Sequence, residues 1–217
     1  MCGRYTLTYQ DLGEVAQELG AILDPEAAAV YHPRYNIAPT QATIVARPRG
    51  DRPALVPATW GLHVGGRLVF NARLETAPSR FAAAWARGRC VVPADGFYEW
   101  TGPRDDRRPL RFHAPDDRPL FLAALFEEPA EVGAPPTFTI LTTASRPPVA
   151  AIHERMPVLL SPASVGAWLS RPPRALRPDD LPLVATAASP RVNAVANDDP
   201  GCLVSAPVER RGQLPLF

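Results

Sequence analysis

The chain has 217 residues, 46% hydrophobic and 21% charged, with a net charge of +1, a globular composition long enough for one substantial core. This balance excludes a disordered or uniformly basic chain, and no apolar run is long enough to cross a bilayer as a helix. Cys2, Cys90 and Cys202 are scattered and lack CxxC spacing, so neither a disulfide framework nor a metal site is expected.

Taken in chain order, residues 11–23 set Leu12, Val15, Leu19 and Ile22 at helical spacing and predict an amphipathic helix. A Pro-containing stretch from His32 to Pro39 follows. Short β-branched and aromatic runs bounded by Gly, Pro or Asp predict strands over 42–47, 68–73, 90–93, 120–126, 137–143 and 183–187. Ser79 is placed to cap a short helix carrying Phe81 and Trp85 that Gly88 ends. Ser161-Pro162 opens another, carrying Val165, Trp168 and Leu169. The segments 103–109 and 171–182 are Pro/Arg/Asp-rich surface loops. Strands outnumber helices without alternating with them. The expected fold is α+β: a single domain with a mixed or antiparallel, barrel-like β-sheet core and a few flanking helices.

All 23 basic residues are arginine. Chemistry that needs a primary amine, such as a Schiff base, must therefore use the α-amino group. The near-neutral charge still permits a local basic groove, which is what nucleic-acid binding requires. The N-terminus has neither a basic nor an apolar leader segment, and a cytoplasmic location is expected.

Cys2 is the first candidate for chemistry. Removal of Met1 would leave an amine and a thiol on adjacent carbons, both with a reactive fraction near neutrality. An aldehyde meeting this pair forms an imine, which the thiolate closes to a five-membered thiazolidine. Taken alone, position 2 reads as a frayed terminus, and only its context argues for chemistry. Gly3 would let another backbone approach closely.

Met-Cys-Gly opens two known groups, the class II glutamine amidotransferases and the SRAP (SOS-response-associated peptidase) family. The rest of the chain separates them. It resembles the SRAP family in MCGRYTL (1–7), RYNIAPTQ (34–41), WGL (60–62), NARLET (71–76) and RCVVPADGFYEW (89–100). The resemblance continues through the TTAS segment (142–145), IHERMPVLL (152–160) and VNAVANDDPGCL (192–203). No amidotransferase-like NGD segment is present. Ser145 stands where Asn is common in the family, and lysine is absent where some relatives have it.

The resemblance implies a protein that captures abasic sites in single-stranded DNA, with a nucleoid-associated place in the cytoplasm. Cys2 would be the nucleophile. Asn71 would hold the reacting N-terminus or the sugar, Glu99 would act as general acid/base, and His153 would shuttle a proton to the deoxyribose oxygen. Read without the resemblance, Glu99 is a strand-end charge and His153 a satisfied core or surface group. His32, His63 and His113 are taken as structural. No metal and no cofactor is needed, and the protein would act as a monomer. Two other functions stand beside this one: an N-terminal-nucleophile peptidase or amidase, and a non-covalent reader of modified DNA bases.

Contacts to DNA are expected from arginines and aromatics. Arg4, Arg73 and Arg155 each lie within two residues of a proposed active-site residue and would clamp phosphates. Trp60 would stack on a base, and Asn36 and Pro39 would line the groove, with Arg34, Arg80 and Arg89 extending the basic surface. The domain is expected to span 1–212. The tail that follows, Gln213-Leu214-Pro215-Leu216-Phe217, resembles the pentapeptide with which bacterial repair proteins dock on the sliding clamp, Gln213, Leu214, Leu216 and Phe217 being its anchors. Packing of this tail on its own domain is the other reading.

Overall fold

A computed structural model describes residues 2–103, 105–129, 134–170 and 176–204. The expected clamp-binding tail, 213–217, lies outside the described residues, as do Arg104 and residues 171–175 of the expected surface loops.

The first strand, β1 (Tyr5–Leu7), leads to helix α1 (Gly13–Leu19). This helix is shorter than the predicted 11–23 because Gly20, at φ 58°, adopts the left-handed conformation and donates back to the carbonyls of Ala16 and Gln17. Ile22 then falls in β2 (Ile22–Leu23) rather than on the helix. Helix α2 (Pro25–Val30), not anticipated from the sequence, starts at Asp24, whose side chain accepts from the Glu26 amide, with Pro25 in the first helical position. The Pro-containing stretch holds β3 (Arg34–Ile37). The hairpin of β4 (Ala42–Arg49) and β5 (Arg52–Trp60) follows.

β5 was hidden by Pro53 and Pro57, which argue against a strand. Its second edge is paired only at its ends, with β2 at Ala54 and Leu55 and with a later strand at Thr59 and Trp60. Pro57 falls in the gap, where a missing donor breaks no ladder. The predicted strand 68–73 is two strands. β6 (Leu62–Val64) pairs with β7 (Arg67–Val69) across a Gly65-Gly66 turn with φ of 56° and 76°, and β8 (Asn71–Arg73) pairs elsewhere.

Helices α3 (Ala77–Arg80) and α4 (Ala82–Arg87) replace the single expected helix. Ser79 lies inside α3, where its hydroxyl donates to the Thr76 carbonyl, and does not cap it. At Gly88, which ends α4 as anticipated, a Cβ would meet the Phe126 carbonyl oxygen at 2.0 Å, so only glycine lets the chain pass this close. The remaining elements are β9 (Arg89–Ala94), β10 (Gly96–Thr101), β11 (Arg108–His113), β12 (Leu120–Glu127) and β13 (Thr137–Ala144). After them come β14 (Arg155–Pro157), β15 (Leu159–Leu160), α5 (Pro162–Leu169) and β16 (Val184–Ala187). As expected, Ser161 caps α5 by accepting from the Ser164 amide.

The fold is a mixed α+β single domain built on two large sheets. One runs β16-β11-β10-β1-β3 and is antiparallel throughout. In the other, β13, β12, β9, β4 and β5 pair in sequence, and the parallel β5–β13 pairing closes the path into a ring. Every residue of β9 is buried, as is β12 up to Phe126, so these strands read as continuous apolar runs rather than alternating ones. Among the described residues no helix is long and apolar enough to cross a membrane.

Candidate active site

Four segments far apart in sequence meet around Cys2. β1 pairs antiparallel with β10, Tyr5 opposite Phe97, and the Tyr98 amide donates to the Arg4 carbonyl at 3.0 Å. Continuing that register carries residues 2–4 alongside the β10 segment that holds Glu99. β8 delivers Asn71, whose Nδ2 donates to the Cys2 carbonyl at 2.7 Å. The Oδ1 of the same amide is buried without a hydrogen-bond partner among the described residues, an acceptor that an amine N–H or a sugar hydroxyl can satisfy.

Cys2 is fully buried. Burial pushes its thiol well above the usual range, and the Glu99 carboxylate adds to that rise. Glu99, also buried, is itself raised by burial, with the amino terminus and then His153 opposing the shift. The Glu99 carboxylate thus lies within electrostatic reach of both the Cys2 thiol and the His153 imidazole, beside a fully buried Cys2, where such interactions are strong.

His153 is held through its backbone and its ring. Ser145 Oγ donates to the His153 carbonyl at 2.5 Å, and the Ser145 amide donates to the Glu154 carbonyl at 2.9 Å. The ring Nδ1 sits 2.9 Å from the Arg155 amide nitrogen and 3.1 Å from the Arg155 carbonyl oxygen. The backbone N–H is an obligatory donor, so a neutral ring accepts it at Nδ1 and carries its proton on Nε2. A protonated ring can donate Nδ1–H to the neighbouring carbonyl instead.

The expected DNA contacts divide differently. Trp60 is fully buried: it stacks parallel to Phe138 at 6.3 Å, meets Tyr5 edge-on at 5.2 Å and donates from Nε1 to the Phe70 carbonyl. It is a core residue with no face open to a base, which corrects the expectation. Asn36 is corrected likewise. It is fully buried and its amide is spent inside the protein, accepting from Arg4 and donating to the carbonyls of Val192, Ala194 and Asn197.

Arg4 reaches the Asn36 side chain at 2.9 Å and the Val192 carbonyl at 2.7 Å, with its guanidinium 5.8 Å from the Trp100 ring centroid. It ties the short helix Pro190–Asn193 to the strand that follows Cys2. Arg155 is bound bidentately by Glu75, a residue the sequence reading passed over although it stands in NARLET two positions from Arg73. Arg73 is exposed and Pro39 half-buried. Arg34 is paired with Asp198, and Arg89 is buried with its guanidinium against the rings of both Trp85 and Trp168, so neither extends a basic surface. Arg80 is exposed. His113 is buried with Nδ1 3.0 Å from Asp117, whereas His32 and His63 are exposed.

Asp198 is the other residue that sequence reasoning missed. Its carboxylate accepts from the amides of Tyr35 and Asn36, capping the outer edge of β3. It stands in the VNAVANDDPGCL block, but its partners lie more than a hundred residues away, so the sequence did not show what it holds. Among the described residues no group of three or more His, Cys, Asp or Glu side chains could hold a metal ion.

The SOS response associated peptidase (SRAP) family model matches residues 1–196. The chain is 33% identical over 180 residues to abasic site processing protein YedK of Escherichia coli (strain K12), covering 78% of this chain and 79% of the relative. It is 32% identical over 198 residues to abasic site processing protein YoqW of Bacillus subtilis (strain 168), covering 83% and 84%. A solved structure from Bacteroides thetaiotaomicron shares the fold with a TM-score of 0.76 at 18% identity, over 94% of this chain and all of that one. The chain belongs to the SOS response associated peptidase (SRAP) family.

Proposed function

We propose that this protein captures abasic sites in single-stranded DNA by forming a thiazolidine between Cys2 and the ring-opened sugar. The observation that carries the reading is the placement of Asn71 on β8 and Glu99 on β10 around Cys2, with His153, in the loop before β14, beside Glu99. The names of the relatives, which are abasic site processing proteins, support it.

In the intact chain the Cys2 nitrogen is an amide, so Met1 must leave before it can act. The freed amine attacks the sugar aldehyde. His153 moves a proton to the ring oxygen as the sugar opens, and loss of one water gives an imine. Glu99 takes the thiol proton, sulfur adds to the imine carbon, and the proton ends on nitrogen. One C–N and one C–S bond form, one water leaves, and nothing is oxidised or reduced. Ring closure removes the electron sink through which an imine would promote strand breakage. Hydrolysis through the same proton carriers reverses it.

One structural fact weighs against the base-reader alternative. A non-covalent base reader needs an exposed stacking platform, and Trp60 is buried. The test is incubation of the Met1-processed protein with abasic single-stranded DNA, followed by a denaturing gel. A heat-stable complex is expected with the native chain and none with Cys2→Ala. A crosslink that survives in Cys2→Ala overturns the proposal.

A further inference from the structure

We propose that Glu75 is a stand-in for a DNA phosphate: its carboxylate caps Arg155 until a strand displaces it, and Glu75 thereby sets the affinity and salt sensitivity of DNA binding. This rests on the DNA-binding reading above.

The carboxylate grips Arg155 with both oxygens, Oε1 to Nη1 at 2.8 Å and Oε2 to Nη2 at 2.9 Å. The same planar fork recognises a phosphate, two N–H groups against two oxygens. From the protein side, the Thr142 carbonyl accepts from Nη2 at 2.5 Å and holds the guanidinium in place. The Arg155 side chain is only 13% exposed, whereas that of Glu75 is 53% exposed. Glu75 is thus the part of the pair that faces water, and a phosphate can replace it without moving Arg155.

The surroundings favour such an exchange. Hydrogen bonding to Arg155 holds the Glu75 carboxyl below its usual range, and Arg73 contributes in the same direction, so the pair is intact at neutral pH. With Arg73 exposed beside it, the group holds two cations and one anion, a net positive spot that a second anion can exploit. The carboxylate half of the pair is open to water, which weakens its hold on the guanidinium by solvent screening. The Arg34–Asp198 pair is the contrast: its side chains are 15% and 21% exposed, and Asp198 is further tied to two backbone amides. That pair is structural. The position of Arg155 adds to the argument, because its own backbone amide donates to the His153 ring, so the residue that would hold the phosphate is also a neighbour of a proposed proton carrier.

The test is fluorescence anisotropy of the full chain with single-stranded DNA carrying a tetrahydrofuran abasic analogue, which has no aldehyde and cannot crosslink. Glu75→Gln is expected to bind about three- to tenfold tighter at low salt. The slope of log affinity against log salt should steepen by about 0.7, one phosphate on a single strand. Adding Arg155→Ala to Glu75→Gln should abolish both gains. If Glu75→Gln melts like the native chain yet binds no tighter, Glu75 is only an anchor for Arg155 and the inference fails. Absence of any binding by the native chain would instead overturn the DNA reading itself.

Discussion

Asn71 Nδ2 donates to the Cys2 carbonyl oxygen at 2.7 Å, joining residues 69 positions apart. Cys2 precedes β1 of the antiparallel sheet, and Asn71 begins β8, which pairs with β13 of the other sheet. The bond thus ties the amino-terminal segment of one sheet to the other sheet. Asn71→Ala should leave the carbonyl of a buried residue unpaired, at a cost of about 1–3 kcal/mol. Denaturant unfolding should register part of that loss. Single-turnover crosslinking should slow about tenfold or more, and native crosslinking rates in a folded variant would show that the bond does not orient Cys2.

Trp60 offers a second check, because its burial makes it a stability residue. Trp60→Ala should destabilise the fold by about 3–5 kcal/mol through the cavity left among Tyr5, Phe70 and Phe138. Trp60→Phe, which keeps most ring contacts, should be milder. In both, DNA affinity per folded molecule should match that of the native chain. A folded Trp60→Phe with impaired binding would restore a direct contact.

Glu99 couples stability to pH in a direction opposite to that of a salt-bridged carboxylate. Burial raises its folded pKa above the unfolded value, so the ionised form penalises the fold at higher pH. That penalty fades as pH falls through the folded pKa. Glu99→Gln should accordingly be more stable than the native chain at neutral pH, with the difference shrinking in mild acid. Crosslinking at neutral pH should fall about a hundredfold or more, as expected for loss of a general acid/base. Urea midpoints at several pH values decide the first point. A variant less stable at neutral pH would mean that the partners of the charge outweigh its burial.

Ser145 anchors the carbonyl of His153. Ser145→Ala should slow crosslinking about threefold to tenfold, the equivalent of one lost hydrogen bond of about 1 kcal/mol. Ser145→Asn, which restores a donor, should recover most of the rate. Equal rates in all three chains would remove Ser145 from the positioning of His153.

Much of the fold was legible from local pattern. The strands around 42–47, 90–93, 120–126 and 137–143 were visible as β-branched or aromatic runs, and the Ser161 cap of α5 from residue type alone. β5 was not, because its prolines are tolerated only where the neighbouring edge is unpaired. The break at Phe70 was equally hidden. Whether 68–73 is one strand or two depends on β8 finding β13, a partner distant in sequence.

By itself the sequence determined the chemistry available: a thiol beside the terminal amine, no lysine to compete with it, and a carboxylate and imidazole in recognisable motifs. Covalent identity and short-range pattern suffice for that. The tertiary structure alone decided which polar groups are free to act. It turned Trp60 and Asn36 inward, tied Arg4 to the short helix Pro190–Asn193, and set Glu75 on Arg155. Burial and pairing are properties of contacts between distant segments, and those contacts exist only once the ring of strands has closed.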